Sequence, residues 1–506
     1  MKKRTIEIMD TTLRDGEQTS GVSFSVAEKL TLSKLLLEDL NVDRIEVASA
    51  RVSEGELNAV KEITEWAQEV GHNQRIEILT FVDDGASIDW MNLANAKVQN
   101  LLTKGSLNHL KHQLKKTPDQ HFKDIEKNVL EAKADGIITN IYLEDWSNGM
   151  RNSPDYVKNF LNFVATLPIK RVLLPDTLGV MTYYETYSFI SEMIQNHPKI
   201  HFDFHGHNDY DLSVANAMEA VRAGCHGIHL TVNGMGERAG NTPMASTVAA
   251  IKDFMPEIKI NINESSLYRV SKLVATFTGF RIPANKPVVG QNVFTQTAGI
   301  HADGDKKKNL YFNDLLPERF GRTREYALGK TSGKANIQKN LQKLGVTLND
   351  QEIKKVTQRI IELGDKKEIV TTEDLPYIIS DVLKSDTEQK VKVKSYVLTH
   401  SKGLHPSTVV SINIDGDILE ESASGDGQFD AFMNAIKKIY KKKKMTLPML
   451  TDYAVRIPPG SNSDALCETL ITWKNGGKEF ITRGLDSDQT VSAIKATEKM
   501  LNIISR

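Results

Sequence analysis

The sequence contains very little cysteine, almost no net charge and no long hydrophobic run. Its 506 residues include two cysteines, Cys225 and Cys467, without metal-type spacing, so we expect no disulfide framework and a reduced, cytoplasmic compartment. The formal net charge of -1 excludes a general attraction to nucleic acid or to an acidic membrane. No apolar run is long enough to span a bilayer. We expect no signal peptide, because no long apolar region follows the basic start MKKR.

What the chain does contain is a regular alternation of apolar and polar segments. Apolar residues make up 40% and charged residues 25%, the balance of a soluble globular protein. A length of 506 residues suggests two to four domains. In the first half, β-like runs recur roughly every 30 residues, the length of one βα unit. The eight runs end near Asp10, Ser49, Phe81, Thr103, Asp145, Thr177, His207 and Asn233.

Helix-start signals lie between these runs. The segments 25–28, 117–120 and 182–185 are capping-box patterns, and Pro118 stands at a first helical position. Strands that alternate with helices predict a parallel sheet of the α/β class. Eight such units over residues 1–262 predict a closed (β/α)8 TIM barrel. A doubly wound open sheet is the alternative, but no G-x-G-x-x-G turn follows the first run.

The pattern changes after about residue 260. Residues 263–388 look mostly helical, which predicts a helical linker domain. They are interrupted by a loop-rich stretch, 290–334, that contains QTAGIHADGDKKKNLY. Such a loop suits a lid or an arm to a partner subunit. Residues 389–506 read as strand-strand-helix twice, which predicts a small α+β domain made by internal duplication.

Polar side chains gather at the predicted C-terminal ends of the strands, where a barrel carries its chemistry. Arg14 and Asp15 follow the first run in DTTLRDGEQ, and His205 and His207 end the seventh. Two residues apart on a strand, the imidazoles face the same side. With a carboxylate they suit Zn²⁺, Mn²⁺ or Fe²⁺, and with more oxygen donors, such as Asn241, they suit Mg²⁺. The alternative is a buried polar network, with Arg14 in a surface salt bridge.

Three other residues allow two interpretations each. Glu144 ends the fifth run, where an enclosed carboxylate can act as acid or base, although a role beside a helix N-terminus is equally consistent. Leu79 and Leu102 are most simply core residues. As walls of a pocket they would favour a small apolar group on a substrate.

Taken together, the motifs DTTLRDGEQ, HGHND (205–209) and NGMGERAGN (233–241) resemble signatures of the Claisen-condensing acyltransferases, the 2-isopropylmalate, citramalate and homocitrate synthases. The resemblance covers nearly the whole chain. It implies a barrel that binds a divalent metal cation (Zn, Mn or Mg) and an α-keto acid, with acetyl-CoA as co-substrate. It also implies a C-terminal domain that binds an amino-acid effector, and a homodimer.

Residue by residue, the resemblance implies four kinds of site. The metal ligands would be Asp15, His205, His207 and Asn241. Arg14 and Thr177 would contact the keto acid, and Glu144 would be a catalytic carboxylate. A catalytic histidine, lent by the partner subunit, would be His301, with Asp303, Asn309 and Tyr311 near it. The base that deprotonates acetyl-CoA would be Glu144 or His301.

The resemblance also bears on the substrate. The segments RIEILTF, LLTKGS and IYLEDWSNG resemble the citramalate synthases, whose keto acid is pyruvate, with Leu79, Leu102 and Tyr142 around its methyl group. The 2-isopropylmalate synthases, which use 2-oxoisovalerate, are the alternative, since the two substrates differ by only about 1–3 kcal/mol in such a pocket. Isoleucine is the implied effector, although Phe429 replaces a typical Tyr and Ser487 a typical Pro. The implied effector contacts are Phe429, Asp430, Tyr453 and Gln489.

Two other classes of function remain compatible with a barrel of this kind. A lyase or a carboxylase subunit would cleave or carboxylate its substrate without acetyl-CoA. A non-catalytic amino-acid sensor would keep the barrel without the chemistry. The full duplication at the C-terminus favours a synthase over the first, and the complete set of polar residues argues against the second.

Overall fold

The computed structural model describes residues 3–304, 310, 313–365, 370–383, 390–456 and 467–505. Its contacts divide the chain into two compact units. The first comprises Met1–Phe294 with Asn313–Thr323, and the second comprises Thr295–Phe312 with Arg324–Arg506. Within the described ranges, no helix has both the length and the apolar character needed to cross a membrane.

Eight parallel strands close into a barrel in the first unit, as predicted, and the open-sheet alternative is wrong. Each strand pairs with the next along the chain, and the eighth returns to the first, with Glu7 beside Gly227. The eighth strand ends before Asn233, because a short helical turn takes over at Val232–Gly234. The strands are β1 (Glu7–Asp10), β2 (Arg44–Ser49), β3 (Ile76–Phe81), β4 (Val98–Lys104), β5 (Ile138–Glu144), β6 (Arg171–Asp176), β7 (Phe202–Gly206) and β8 (Gly227–Leu230).

Burial on both faces explains why these strands read as apolar runs rather than as alternating ones. All six residues of β6 are buried. Val172 and Leu174 belong to the large core between the strands and the surrounding helices. Leu173, which points to the opposite face, belongs to a separate small cluster in the barrel interior.

The helices begin where the sequence predicts them. Ser25, Thr117 and Thr182 each accept a hydrogen bond from the backbone three residues on, and the side chain at that position returns one, so all three capping boxes are confirmed. The α-helices of at least seven residues in this unit are α1 (Val26–Lys34), α2 (Glu54–Glu69), α3 (Ala86–Leu93), α4 (Pro118–Ala134), α5 (Trp146–Asn152), α6 (Pro154–Val164), α7 (Tyr183–Asn196), α8 (Ser213–Ala223), α9 (Met244–Phe254) and α10 (Glu264–Thr278).

The two ends of the barrel segment are clasped together. Arg4–Thr5 pairs in parallel with Ile258–Lys259, just outside the first and last strands. The hydrophobic core continues beyond this clasp, because Leu267 and Val270 of α10 are buried in the same cluster as the barrel strands. The first compact unit therefore reaches past residue 262.

The second unit starts with a helical part that has its own core. Ile337 of α12 and Ile353 of α13 are among the residues buried there. The linker segment is helical, as predicted. Its helices in the second unit are α11 (Gly299–Gly304), α12 (Lys334–Leu344), α13 (Asp350–Asp365) and α14 (Leu375–Leu383), whereas α10 of the same segment belongs to the first unit.

The C-terminal part is duplicated, as predicted, but each repeat has three antiparallel strands before its helix instead of two. The additional strand in the first repeat, β9, lies at a sheet edge, and of its residues only Val391 is fully buried. Such an edge strand carries a weak hydrophobic signal. The elements are β9 (Val391–Thr399), β10 (Ser407–Ile414), β11 (Asp417–Ser424), α15 (Gln428–Lys442), β12 (Met449–Arg456), β13 (Cys467–Asn475), β14 (Lys478–Asp486) and α16 (Gln489–Ile504).

Candidate active site and metal centre

Three of the predicted metal ligands meet at the C-terminal mouth of the barrel. Asp15 lies in the turn after β1, His205 near the end of β7, and His207 directly after it. The Asp15 Oδ2 atom is 3.3 Å from His205 Nε2 and 3.8 Å from His207 Nε2. All three residues are buried, and each offers a ligand atom within 4.8 Å of the others. The strand order of the barrel thus joins two motifs that are nearly two hundred residues apart.

The fourth predicted ligand, Asn241, lies beside His207 in a short backbone bridge. Its amide nitrogen donates to the Met235 carbonyl at 3.1 Å, which leaves the amide oxygen as a free acceptor. Glycine makes this packing possible, since a Cβ on Gly236 (φ +153°) would lie 2.1 Å from the Asn241 nitrogen.

Unsatisfied buried atoms show that this cluster fits a cation. Asp15 Oδ1 and Asn241 Oδ1 are buried and have no hydrogen-bond partner among the described residues. A buried polar atom without a partner costs about 1–3 kcal/mol. Two imidazoles with carboxylate and amide oxygens form a mixed donor set, which suits Zn²⁺, Mn²⁺ or Fe²⁺.

The protonation of the cluster is also that of metal ligands. Burial alone would raise the pKa of Asp15, but Arg14 and the two histidines hold the pKa of this carboxyl well below its usual range. Burial lowers the pKa of His207 to about 4, against the effect of Asp15. At neutral pH the site therefore presents a carboxylate and a neutral imidazole, the forms that bind cations.

Arg14 is held in place by Glu46 on β2, a polar residue of the second predicted strand that was not among the predicted site residues. The Nε and Nη2 atoms of Arg14 both lie 2.6 Å from Glu46 Oε2, and its Nη1 lies 3.1 Å from Asp15. Thr11 and Asn100 each donate a hydrogen bond of 2.8 Å to Glu46. Burial lowers the pKa of Arg14, but the carboxylates of Glu46 and Asp15 raise it by more. The pKa of Arg14 therefore lies above its ordinary value. The guanidinium is thus a fixed cation next to the metal cluster.

The predicted pocket residues also come together. Leu79 and Tyr142 are buried in the small interior cluster, and Leu102 packs against it. Leu173, which sequence reasoning missed because its whole run looked like core, completes the cluster. The Tyr142 ring centroid is 6.0 Å from that of His205, so the cluster adjoins the metal ligands.

Glu144 and Thr177 lie at the neighbouring strand ends. Glu144 forms an ion pair with Lys104, the last residue of β4, whose side chain is almost fully buried. Thr177 Oγ1 accepts a hydrogen bond of 2.9 Å from the Asp145 backbone, and its carbonyl accepts one from Arg238. Lys104 was missed because it follows an apolar run and looks like a surface residue.

The remaining predicted catalytic residues belong to the second unit. His301 lies in α11, but its side chain is outside the described residues, as are Asn309 and Tyr311. Asp303 is half-buried and lines an open groove with Gly333 and Lys334.

Three of the predicted effector contacts lie together in the C-terminal part. The rings of Phe429 and Tyr453 are 5.3 Å apart. Burial raises the pKa of Tyr453, opposed by a hydrogen bond with Gln489. Asp430 instead accepts hydrogen bonds from the Asp426 backbone and the Asn434 side chain within its own segment. The segment 452–460 (DYAVRIPPG), which resembles the isoleucine-binding region of citramalate synthases, extends beyond the described ranges at residues 457–460.

Comparison with known families covers the chain in three segments. The HMGL-like family matches residues 5–274, more than half of the chain. The homocitrate synthase post-HMGL domain-like family matches residues 288–368, and the LeuA allosteric (dimerisation) domain matches residues 369–505.

Individual relatives match the chain from end to end. An (R)-citramalate synthase of Methanocaldococcus jannaschii is 32% identical over 502 residues, 99% of each chain. A 2-isopropylmalate synthase of Pyrococcus furiosus is 34% identical over 521 residues, 99% of this chain and 100% of that protein. Among solved structures, the HMG-CoA lyase of Bacillus subtilis matches with a TM-score of 0.48 and 16% identity, over 57% of this chain and 98% of that one. The chain therefore belongs to the HMGL-like family, alongside the citramalate and 2-isopropylmalate synthases.

Proposed function

We propose that this protein is a citramalate synthase, an acyltransferase that condenses acetyl-CoA with pyruvate to give (R)-citramalate and CoA, the first step of a threonine-independent route to isoleucine. The observation that carries the proposal is the interior cluster beside the metal ligands. Leu79, Leu102, Tyr142 and Leu173 crowd one side of the site with large side chains. Such walls suit the methyl group of pyruvate better than an isopropyl group.

The polar side of the site suits the keto acid. A divalent cation held by the Asp15 cluster would polarise the keto carbonyl and stabilise the alkoxide that develops there. Arg14, fixed by Glu46, adds a second positive charge next to Asp15. In this proposal Arg14 and Thr177 bind the keto acid and orient it for attack.

The methyl group of acetyl-CoA must lose a proton before it can attack. Two residues could accept it, Glu144 at the barrel mouth and His301 lent by the partner subunit of a homodimer. In the second case Asp303, Asn309 and Tyr311 would accompany the histidine. Hydrolysis of the thioester then releases CoA and makes the condensation irreversible.

A second candidate is 2-isopropylmalate synthase, which joins acetyl-CoA to 2-oxoisovalerate in leucine biosynthesis. The specific observation in its favour is the 34% identity to the Pyrococcus furiosus enzyme of that name, over the whole chain. Both candidate activities would use the metal cluster. They differ in how much space the substituent of the keto acid needs beside Tyr142.

A substrate panel tests the proposal. Purified protein is mixed with acetyl-CoA, a divalent cation and one keto acid, either pyruvate, 2-oxobutanoate or 2-oxoisovalerate, and thiol release is followed. We expect release that requires both pyruvate and the cation, with citramalate identified by mass. A much higher kcat/KM for 2-oxoisovalerate would favour the leucine enzyme. Turnover of a substrate without acetyl-CoA would favour a lyase or carboxylase.

We further propose that the barrel of residues 1–262 is catalytic, that residues 263–388 link it to a regulatory domain, and that residues 389–506 bind isoleucine. The match of the LeuA allosteric domain supports this regulatory role. Phe429, Tyr453 and Gln489 would contact the amino acid. Asp430 would lie beside them, next to Phe429 at the start of α15. Inhibition by isoleucine but not by leucine, lost in Tyr453→Ala, is the expected result. Inhibition by leucine alone would instead support the leucine enzyme.

A further inference from the structure

The Tyr142 hydroxyl is bound by a hydrogen-bonded row of buried side chains that have no part in the proposed reaction. Its hydroxyl is 2.9 Å from His229 Nδ1, and His229 Nε2 is 3.3 Å from Asp203 Oδ2. Asp203 forms a buried ion pair with Arg44, which also donates to Glu77 at 2.8 Å. Tyr142, His229, Asp203 and Arg44 are each at most 3% exposed. This row of four side chains runs from the pocket wall through the barrel interior.

The chemistry of these side chains determines which one donates and which one accepts in each hydrogen bond. Asp203, paired with Arg44, is an acceptor, so the proton of His229 lies on Nε2. The other ring nitrogen, Nδ1, is then an acceptor, and the Tyr142 hydroxyl must donate to it. The hydroxyl therefore has one defined partner, which fixes the position of the phenol oxygen and so limits the swing of the whole ring.

The position of that ring matters because its faces and edges border the proposed substrate site. The Arg14 guanidinium carbon lies 5.9 Å from the centroid of the Tyr142 ring. On other sides the ring meets His205 and the leucines of the interior cluster. A displacement of the ring would change the room available to the substituent of the keto acid.

We propose that His229 is a positioning residue for substrate selection: by accepting the Tyr142 hydrogen bond, and being itself held by Asp203, it fixes the pocket wall that separates pyruvate from larger keto acids. This inference rests on the proposed condensing activity. It assigns His229 no contact with the reacting atoms. Its effect is on which keto acid fits, not on the chemical step.

The test compares kcat/KM for pyruvate and for 2-oxobutanoate in a set of variants of the full-length protein. In His229→Leu the ratio should fall by about 10-fold, the effect of one methylene in a pocket, through a higher KM for pyruvate and a kcat within threefold. Tyr142→Phe, which removes the same bond, should lower the ratio to the same extent. The double variant should be no worse than either single one, because all three lack one shared contact.

Two further variants separate positioning from folding. His229→Asn places an oxygen near the position of Nδ1 and should keep the ratio within threefold of the wild type. His226→Asn changes a histidine just before the same strand, whose Nδ1 accepts from the Phe202 backbone instead, and should leave the ratio unchanged.

Three outcomes would overturn the inference. The first is an equal loss of activity with every keto acid in His229→Leu. The second is an unchanged ratio in Tyr142→Phe, which decides the matter if His229→Leu does not fold. The third is additive effects in the double variant. Failure of the proposed function would appear separately, as a wild-type preference for 2-oxoisovalerate or as no need for acetyl-CoA.

Discussion

Arg14 depends on Glu46 for its position, because two of its nitrogen atoms share one carboxylate oxygen of that residue. Glu46 is completely buried and accepts two more hydrogen bonds. A guanidinium fixed in this way need not reorganise when negative charge develops beside it, which is the condition for strong electrostatic stabilisation. In the proposed reaction the carboxylate would act through the arginine.

Replacing Glu46 by Gln tests this dependence. Removal of one partner of a buried ion pair destabilises a protein by about 3–5 kcal/mol, and Arg14 would lose its fixed direction. We expect kcat/KM to fall by about 100-fold, measured by thiol release, with a lower urea midpoint. Glu65→Gln makes the same charge change at an exposed site and should change neither. Wild-type activity in Glu46→Gln would show that Arg14 needs no such support.

Replacing Arg14 by Lys keeps the charge but removes the planar fork. Lysine cannot contact Glu46 and Asp15 at once, so kcat/KM should fall by roughly 10²–10³-fold, as for the loss of one oriented donor. Binding of Mn²⁺, followed by calorimetry, should persist because Asp15, His205 and His207 remain. Loss of metal binding together with activity would instead place Arg14 among the supports of the metal site.

The residues that sequence reasoning missed have their partners far along the chain. Glu46 and Arg14 are 32 residues apart, Lys104 and Glu144 are 40, and Tyr142 and His229 are 87. No local pattern marks such pairs, since each residue stands within a run that looks like ordinary strand. Arg14, Asp15, His205 and His207 were predicted because they stand in short motifs that a family resemblance makes recognisable.

At the scale of the element, the helices could be predicted because their ends carry local chemistry. Thr182 and Glu185 close a capping box at the start of α7. Arg151 of α5 then adds two contacts to Glu185, at 2.8 and 2.7 Å. The hydrogen bond from Arg151 is the main cause that lowers the pKa of Glu185 to about 2.

This shift has a pH-dependent consequence. A carboxyl whose pKa is lower in the folded state stabilises the protein fully at pH values above its ordinary pKa of 4.5. This stabilisation is lost as the pH falls towards the pKa of the folded state. Glu185→Gln should lower the free energy of unfolding by about 1 kcal/mol at pH 7, a modest figure because the pair is partly exposed to solvent. Urea titrations should show the difference shrinking between about pH 5 and pH 2. A difference independent of pH would assign the effect to the cap alone.

A control for this change lies on the same helix. Glu192 is exposed on α7, and Glu192→Gln should alter stability by less than about 0.5 kcal/mol at either pH.

The strands were predicted for a different reason than the helices were. Each barrel strand is a short apolar run that ends in polar residues, and eight repeats of that pattern leave few alternatives to a closed barrel. The additional strands β9 and β12 could not be separated from their neighbours in the same way. β9 is an edge strand with mostly exposed or half-buried residues, so its pattern resembles that of a polar linker.

At the scale of the whole molecule, the two compact units have separate cores. The largest buried cluster belongs to the barrel unit, and two smaller ones belong to the helical and C-terminal parts of the second unit. Unfolding of such a chain need not be two-state. Effects on the metal site should therefore appear in one part of the unfolding profile.

Removal of the metal tests this separation. A cation present at about 100 times its Kd stabilises the unit that binds it by roughly 2.7 kcal/mol. A chelator should abolish thiol release and lower the midpoint of one calorimetric transition by several degrees, leaving the other in place, and added Mn²⁺ or Zn²⁺ should restore both properties. His207→Ala should be insensitive to the chelator. A shift of both transitions would mean that the two units unfold together.

The closure of the barrel determines when its first strand can complete its pairing during synthesis. β1 gains its second neighbour only from β8, and the turn after β1 is tied down by a hydrogen bond from Val232 to Thr12 across 220 residues. At about 5–20 residues per second, a ribosome needs roughly 10–40 s to cover that distance. During that time the first strand has an open edge, and Asp15 waits for histidines that have not yet been synthesised. The nascent chain therefore exposes this strand edge until β8 has emerged, and the Asp15 cluster can assemble only after His205 and His207 have been made.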